Sequence, residues 1–258
     1  ALLVCLVALF LFLPTVGHEL VYDDWFLIDP GQNASMQGIN DDFGVALRLF
    51  GEEYWEGVNP SGVEELKNRG QALYRPLTTF TWAALSYVTK YKGATEAVAY
   101  HLTNVLLNVL AVFLLFRLII RLFGSVRLAV LASLLFAVHP LHSEVVAYVA
   151  GLSDLLSTLA VLGGLLFWLR TIEDPVKLRM GAYIGLLLTL FLGLLAKEAA
   201  VLLLAVVALT DLMLTLRGRV ISMSHRIATY LGMIVVICMN IGLRYSVLGY
   251  LKPSSSAI

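Results

Sequence analysis

Apolar residues occupy this chain in long unbroken blocks separated by short polar joints, without the strict alternation of strands or the narrow stripe of a soluble helix. The blocks cover roughly residues 1–16, 97–122, 126–138 (continuing to about 141), 149–169, 180–196, 199–216 and 227–247. Runs of about 17–25 apolar residues match the length of helix that crosses roughly 30 Å of hydrocarbon. The pattern therefore predicts an all-α polytopic membrane protein with about seven transmembrane helices. The first block, Leu-rich from Ala1 to Leu13, has no small-residue cleavage site and reads as a membrane helix in preference to a signal peptide. It begins mid-run, without Met or a charged leader, so the chain is expected to be a fragment.

Between the first two blocks lies a different kind of sequence. Residues 17–73 are rich in acid: Asp23, Asp24, Asp29, Asp41, Asp42, Glu52, Glu53, Glu56, Glu64 and Glu65. Turn signals fall at 29–33 and 57–62. Phe43, Leu47, Phe50, Tyr54 and Trp55 recur near helical spacing and predict an amphipathic helix at the interface. After Tyr74-Arg75-Pro76, the aromatic-rich stretch 77–88 is too short to span and is read as an interfacial or re-entrant helix. The whole of 17–95 is thus one long loop on one side of the membrane. Loops of this length usually carry function.

Composition agrees with the pattern and narrows the function classes. The chain is 59% hydrophobic and 14% charged, with a mean hydropathy of +0.85. Its formal net charge is zero, so no basic field points to nucleic acid. Cys5 and Cys238 both lie inside apolar blocks, which argues against a disulfide framework or a thiolate metal site.

Basic residues set the orientation. Arg117, Arg121 and Arg127 flank one joint, Arg170, Lys177 and Arg179 another, and Arg217, Arg219 and Arg226 a third. If 77–88 does not cross, all three clusters fall on one face, which the positive-inside rule makes cytoplasmic. Lys90, Lys92 and Arg244 run against the rule. The acidic loop then lies on the lumenal or periplasmic side. With it go Asp23-Asp24, Arg75, His101, the turn His139-Pro140-Leu141-His142-Ser143-Glu144, Asp154 and Lys197-Glu198. Ionisable residues gathered at one membrane face mark a catalytic or transport site.

Five stretches occur in a fixed order. They are Tyr22-Asp23-Asp24; Tyr74-Arg75-Pro76-Leu77-Thr78-Thr79-Phe80-Thr81; Tyr100-His101-Leu102-Thr103-Asn104 running on to Asn108; Leu135 to Glu144 with Gly151-Leu152-Ser153-Asp154; and Ala196-Lys197-Glu198. In this the chain resembles the membrane domain of the transmembrane and tetratricopeptide-repeat-containing (TMTC) proteins. Those belong with the C-type (GT-C) glycosyltransferases, near the protein O-mannosyltransferases. Two departures are visible: the family's Gly-Arg-x-Asp reads Gly151-Leu152-Ser153-Asp154, and its Lys-Glu-x-Gly reads Lys197-Glu198-Ala199-Ala200. No tetratricopeptide repeats are present, and the chain is expected to stop before the family's remaining helices and repeats.

The resemblance implies a GT-C-like bundle in the endoplasmic reticulum membrane, or the inner membrane of a bacterium. It further implies transfer of a sugar, mannose in the first place, from a dolichyl- or other polyprenyl-phosphate donor to Ser or Thr of secretory or membrane acceptor proteins. An inverting displacement needs a carboxylate base near the acceptor hydroxyl and positive charge on the departing phosphate. Asp23 or Asp24 is the candidate base, unless one of them only caps a helix. Asp154 matches a second acidic position, which would orient the acceptor or share a divalent cation (Mg or Mn) with Asp24; its alternative is a helix cap. Lys197 matches a donor-phosphate ligand and Arg75 is a second candidate, since guanidinium grips phosphate in a bidentate way. Glu198 offers Lys197 a plain structural ion pair instead. His101, His139, His142 and Glu144 would line the site, although His-x-x-His-x-Glu with only two His is weak for zinc. Asn33-Ala34-Ser35 is a glycosylation acceptor if its loop faces a lumen, and Asn59-Pro60-Ser61 is excluded by its Pro. Two other readings compete: a transporter, against which the absence of an inverted repeat counts, and a non-catalytic scaffold.

Overall fold

The computed structural model describes residues 1–29, 33–39, 41–55, 57, 73–89, 97–173 and 179–249. Turn signals at 30–32 and 58–62, the acids Glu56, Glu64 and Glu65, and the cations Lys90, Lys92 and Lys177 lie outside these residues. The described chain is all-α. Its helices are α1 (Leu2–Phe12), α2 (Asp23–Ile28), α3 (Pro76–Thr89), α4 (Val98–Phe123), α5 (Val126–Ala137), α6 (Leu141–Ala147), α7 (Leu152–Thr171), α8 (Met180–Ala196), α9 (Leu202–Leu216) and α10 (Met223–Leu248).

Every predicted apolar block is a helix, but the blocks are not equal. By length and composition, four stretches among the described residues can cross a membrane: Val98–Phe123, Val149–Thr171, Glu198–Leu216 and Met223–Leu248. The pair α5 and α6 makes a fifth if taken as one span broken by a 67° bend, and Leu2–Gly17 and Met180–Ala196 are shorter apolar helices. The bend falls at His139-Pro140, where Pro140 removes a backbone donor from the helix.

Local chemistry ends and starts the long helices cleanly. Gly124 takes a left-handed conformation (φ 66°) and its N–H caps the carbonyl of Ile120. Ser125 follows at once as the N-cap of α5, its hydroxyl accepting the N–H of Leu128 at 3.2 Å. The tightest pairing is α7 against α8. At Gly193 an added Cβ would stand 2.5 Å from the Cβ of Ala160, and a small residue there lets the two backbones approach.

The first loop folds onto α3. The stretch Phe43–Gly51 is a 3₁₀ helix where an amphipathic α-helix was predicted. It packs as that pattern requires, Phe43 and Phe50 each holding their rings 5.4 Å from Phe80. At 14 residues, α3 is about 21 Å long and too short to cross.

The arginine joints share one end of the bundle. Glu173 pairs with both Arg121 and Arg179, and Arg219 donates to the carbonyl of Ile172 at 3.0 Å. Asp154 and Arg170 stand on α7, separated by about 24 Å of helix. The acidic loop and the arginines therefore occupy opposite ends, as the sequence predicted. Asn33 is 2% exposed, donates to the carbonyl of Leu27 at 3.1 Å and accepts the N–H of Ser35 at 2.9 Å. Cys5 and Cys238 are free thiols.

Candidate functional site

The acidic pair sits at the start of α2, and its two members face different ways. Tyr22, immediately before it, has φ 48°, a conformation that costs a side-chain-bearing residue about 1–3 kcal/mol. That strained residue turns the chain so that Asp23 is exposed and Asp24 is fully buried. The Asp24 carboxylate reaches across the fold to the turn before α7. It accepts the N–H of Ala150 at 2.9 Å, of Val149 at 3.3 Å and of Val21 at 3.4 Å. Burial pushes its pKa up to about 6, against the pull of these three N–H groups.

The turn that receives Asp24 is itself shaped by two residues. At Gly151 a Cβ would stand 2.1 Å from the carbonyl oxygen of Val145, so only glycine lets α6 and α7 meet this closely. Asn104, fully inside α4, donates to the carbonyl of Tyr148 at 2.9 Å and fixes the other side of the same turn.

A pocket of about 810 Å³ opens beside this arrangement, lined by His18, Glu19, Val21, Tyr22, Asp23, Glu144, Ala147 and Tyr148. Asp23 and Glu144 bring two exposed carboxylates to its wall. The Tyr148 hydroxyl faces Asp23; burial and the nearby Asp23 and Asp24 charges raise its pKa above the ordinary tyrosine value. It therefore stays a protonated donor to the Asp23 carboxylate.

The cations lie on the adjoining helix ends. Asp154, in the first turn of α7, accepts from Lys197 Nζ at 2.6 Å. Next in sequence, Glu198 takes Arg75 in a forked pair, Nε at 3.3 Å and a terminal nitrogen at 3.1 Å. Arg75 also stands over the Tyr54 ring, 5.4 Å from its centroid. Its side chain is only 13% exposed, against 45% for Glu198. Thr78 Oγ1 donates to the carbonyl of Ala196 at 3.0 Å, which ties α3 to the end of α8 just before Lys197. Asp24 thus holds the turn before α7, Asp154 at the start of α7 pairs with Lys197 at the end of α8, and the adjacent Glu198 pairs with Arg75 just before α3.

Of the three histidines of the predicted lining, His101 stands behind the pocket wall and the other two at the bend between α5 and α6. His101 is wholly buried in α4, edge-on to His18 with ring centroids 6.4 Å apart. His142 packs its ring on Phe136, centroids 4.1 Å apart, and stands 5.9 Å from His139. His139 accepts the N–H of Leu141 at its own Nδ1. These last two shape the bend between α5 and α6. Conversely, the sequence singled out none of Tyr148, His18 and Glu19, and named Tyr22 only within its motif; their signal was position alone, since each flanks a motif acid or one of its turns.

A divalent cation on Asp24 and Asp154 does not fit this donor set. The oxygens of Asp24 are committed to backbone N–H groups and Asp154 is bonded to Lys197. Among the described residues no three His, Cys, Asp or Glu converge as a metal site.

The fold and the site together define a polytopic membrane protein with a pocket, bearing Asp23 and Glu144 on its wall, at one end of its bundle. Residues 76–242 match the family described as dolichyl-phosphate-mannose-protein mannosyltransferase, and the chain belongs to that family. The chain is 34% identical to Protein O-mannosyl-transferase Tmtc2 of Drosophila melanogaster over 84% of its length, and 29% identical to Protein O-mannosyl-transferase F38B6.6 of Caenorhabditis elegans over 64%. It is 34% identical to Protein O-mannosyl-transferase TMTC3 of Homo sapiens over 48% of its length. The matched regions cover 22%, 22% and 12% of these relatives. The resemblance to the TMTC membrane domain read from the motifs agrees with these similarities. No solved structure matches the chain.

Proposed function

We propose that this chain is the catalytic membrane portion of a protein O-mannosyltransferase that uses a polyprenyl-phosphate mannose donor, dolichyl phosphate in a eukaryotic membrane. The observation that carries the reading is the pocket carboxylate Asp23 at the end of the bundle where Asp24 holds the turn before α7 and Asp154, at the start of α7, holds Lys197. Together they supply a base and a phosphate-binding cation at one end of a membrane bundle.

In the proposed reaction a Ser or Thr hydroxyl of the acceptor enters the pocket beside Asp23. Its oxygen attacks the anomeric carbon while its proton passes to the Asp23 carboxylate. The bond from that carbon to the phosphate oxygen breaks, its electron pair leaves with the lipid phosphate, and the configuration inverts. Asp23 is favoured as base because it lines the pocket, whereas the Asp24 oxygens face backbone N–H groups. Asp24 then acts as a positioning residue that fastens the α2 loop to the start of α7. Tyr148 donates to Asp23 and orients it.

Lys197 is the stronger phosphate ligand. One of its three donor positions is used on Asp154, leaving two for the leaving-group oxygens. Arg75 spends its fork on Glu198 and its face on Tyr54, an arrangement that holds the first loop against α9. The test is transfer of labelled mannose from dolichyl phosphate mannose to acceptor protein by the full-length protein in membranes. Lys197→Ala should raise the donor KM by at least about tenfold, the scale of one charge-assisted phosphate contact. An unchanged donor KM would assign Lys197 to the ion pair with Asp154 alone.

A further inference from the structure

Lys197 is the residue between α8, which ends at Ala196, and the 3₁₀ turn Glu198–Val201 that leads into α9. Its backbone is extended (φ −159°, ψ 138°), and in extended chain successive side chains leave on opposite sides. Lys197 accordingly reaches Asp154 at the start of α7, while Glu198 reaches Arg75 just before α3. The start of α3 holds the chain on both sides of the lysine. Thr78 Oγ1 donates to the carbonyl of Ala196 at 3.0 Å, and Arg75 forks onto the Glu198 carboxylate at 3.3 and 3.1 Å. The lysine backbone is fixed as well: its N–H donates to the Gly193 carbonyl at 2.8 Å, and its carbonyl accepts the N–H of Ala200 at 3.1 Å.

Arg75 is itself braced from behind. Its guanidinium stands over the ring of the buried Tyr54. The Tyr54 N–H donates to the carbonyl of Leu73 at 2.7 Å, and the Tyr74 hydroxyl donates to the carbonyl of Phe50 at 2.9 Å. A guanidinium with its fork on a carboxylate and its face on an aromatic ring has one geometry, which suits a brace. A lysine ammonium, in contrast, swings on a flexible four-carbon stem, so its aim depends on how firmly its backbone is held. We propose that Arg75 is a positioning residue for donor binding: acting through Glu198, it fixes the joint that aims Lys197 at the departing phosphate. This rests on the reading of Lys197 as the phosphate ligand. A brace and a direct phosphate ligand make opposite predictions at Glu198. If Arg75 is a brace, loss of Glu198 loosens Lys197 and weakens donor binding. If Arg75 is a ligand, loss of Glu198 frees its fork and strengthens donor binding.

The experiment measures the donor KM for mannose transfer from dolichyl phosphate mannose by the full-length protein in membranes. The variants are Arg75→Gln, Glu198→Ala, Lys197→Ala, and Glu198→Ala combined with Lys197→Ala. A KM does not depend on how much of the protein is folded, so a variant that only folds poorly loses rate and keeps its KM. Arg75→Gln and Glu198→Ala should each raise the donor KM about fivefold, the effect of a misplaced ligand. On the Lys197→Ala background, Glu198→Ala should change it by less than about twofold, because the residue it acts through is gone. An unchanged or lowered KM in Glu198→Ala overturns the brace. A rise of equal size on both backgrounds overturns action through Lys197. An unchanged KM in Lys197→Ala overturns the phosphate reading of that lysine, and this proposal with it.

Discussion

Asp23 and Asp24 are adjacent in the chain and occupy opposite environments. Asp23 lines an open pocket, while Asp24 is buried against the turn before α7. The sequence could show that two acids follow an apolar run, but not which one turns inward. That depends on Tyr22 at φ 48° and on N–H groups about 125 residues further along the chain. The pairing of Arg75 with Glu198, 123 residues apart, was equally hidden, because ion-pair partners follow from helix packing. The difference between the aspartates has a pH signature. Asp24 has a folded-state pKa of about 6 against an ordinary 3.8, so the folded chain binds this proton more tightly than the unfolded chain. Its contribution to stability is complete below about pH 3.8 and is lost as the pH rises through about 6. Thermal unfolding in detergent should show this fall in the parent protein and lack it in Asp24→Asn. An identical pH dependence in both would place the titration elsewhere. Tyr148→Phe keeps the ring and removes the donor to Asp23; it should lower kcat by about tenfold with little change in donor KM, the scale of one lost hydrogen bond.

At the scale of elements, helices were legible wherever apolar composition alone decides them, as in α4, α7, α9 and α10. Of the bent pair, α5 was read as a helix over 126–138 continuing to about 141, while α6 was read as the turn 139–144, because Pro140 marks a break but not the helix that resumes after it. Phe43–Gly51 was read as an amphipathic helix and is a 3₁₀ helix: its aromatic spacing sets which residues meet α3, and a 3₁₀ helix meets that need as well as an α-helix. The most sensitive joint is Gly151. A methyl group there would press on the Val145 carbonyl and move the N–H groups that hold Asp24. Gly151→Ala should cost roughly 1–3 kcal/mol in unfolding experiments and reduce transfer as well. A fully stable and active variant would mean that the turn relaxes without disturbing the acid.

Taken as a whole, the molecule separates its charges by end. The acids of the first loop, with Lys197 and Arg75, gather at the pocket end, and the arginines of the joints gather at the opposite end, where Glu173 and Asp211 pair with three of them. Orientation follows from that separation and can be measured. With Cys5 and Cys238 replaced by Ser, single cysteines at Asp41 and Ser224, both exposed, should label from opposite sides of the membrane. Labelling of both from one side would break the topology on which the site depends. The charge pattern also counts against a transporter, whose ion sites sit near the middle of the bilayer.

Asp23 as the base is the centre of this account, and one comparison reaches it directly. Mannose transfer by the full-length protein should be measured for Asp23→Asn beside the parent, with donor binding determined on the same membranes. The account predicts that transfer falls by at least about 100-fold, the lower range for loss of a general base, while donor binding is retained. Transfer within a few-fold of the parent would contradict it.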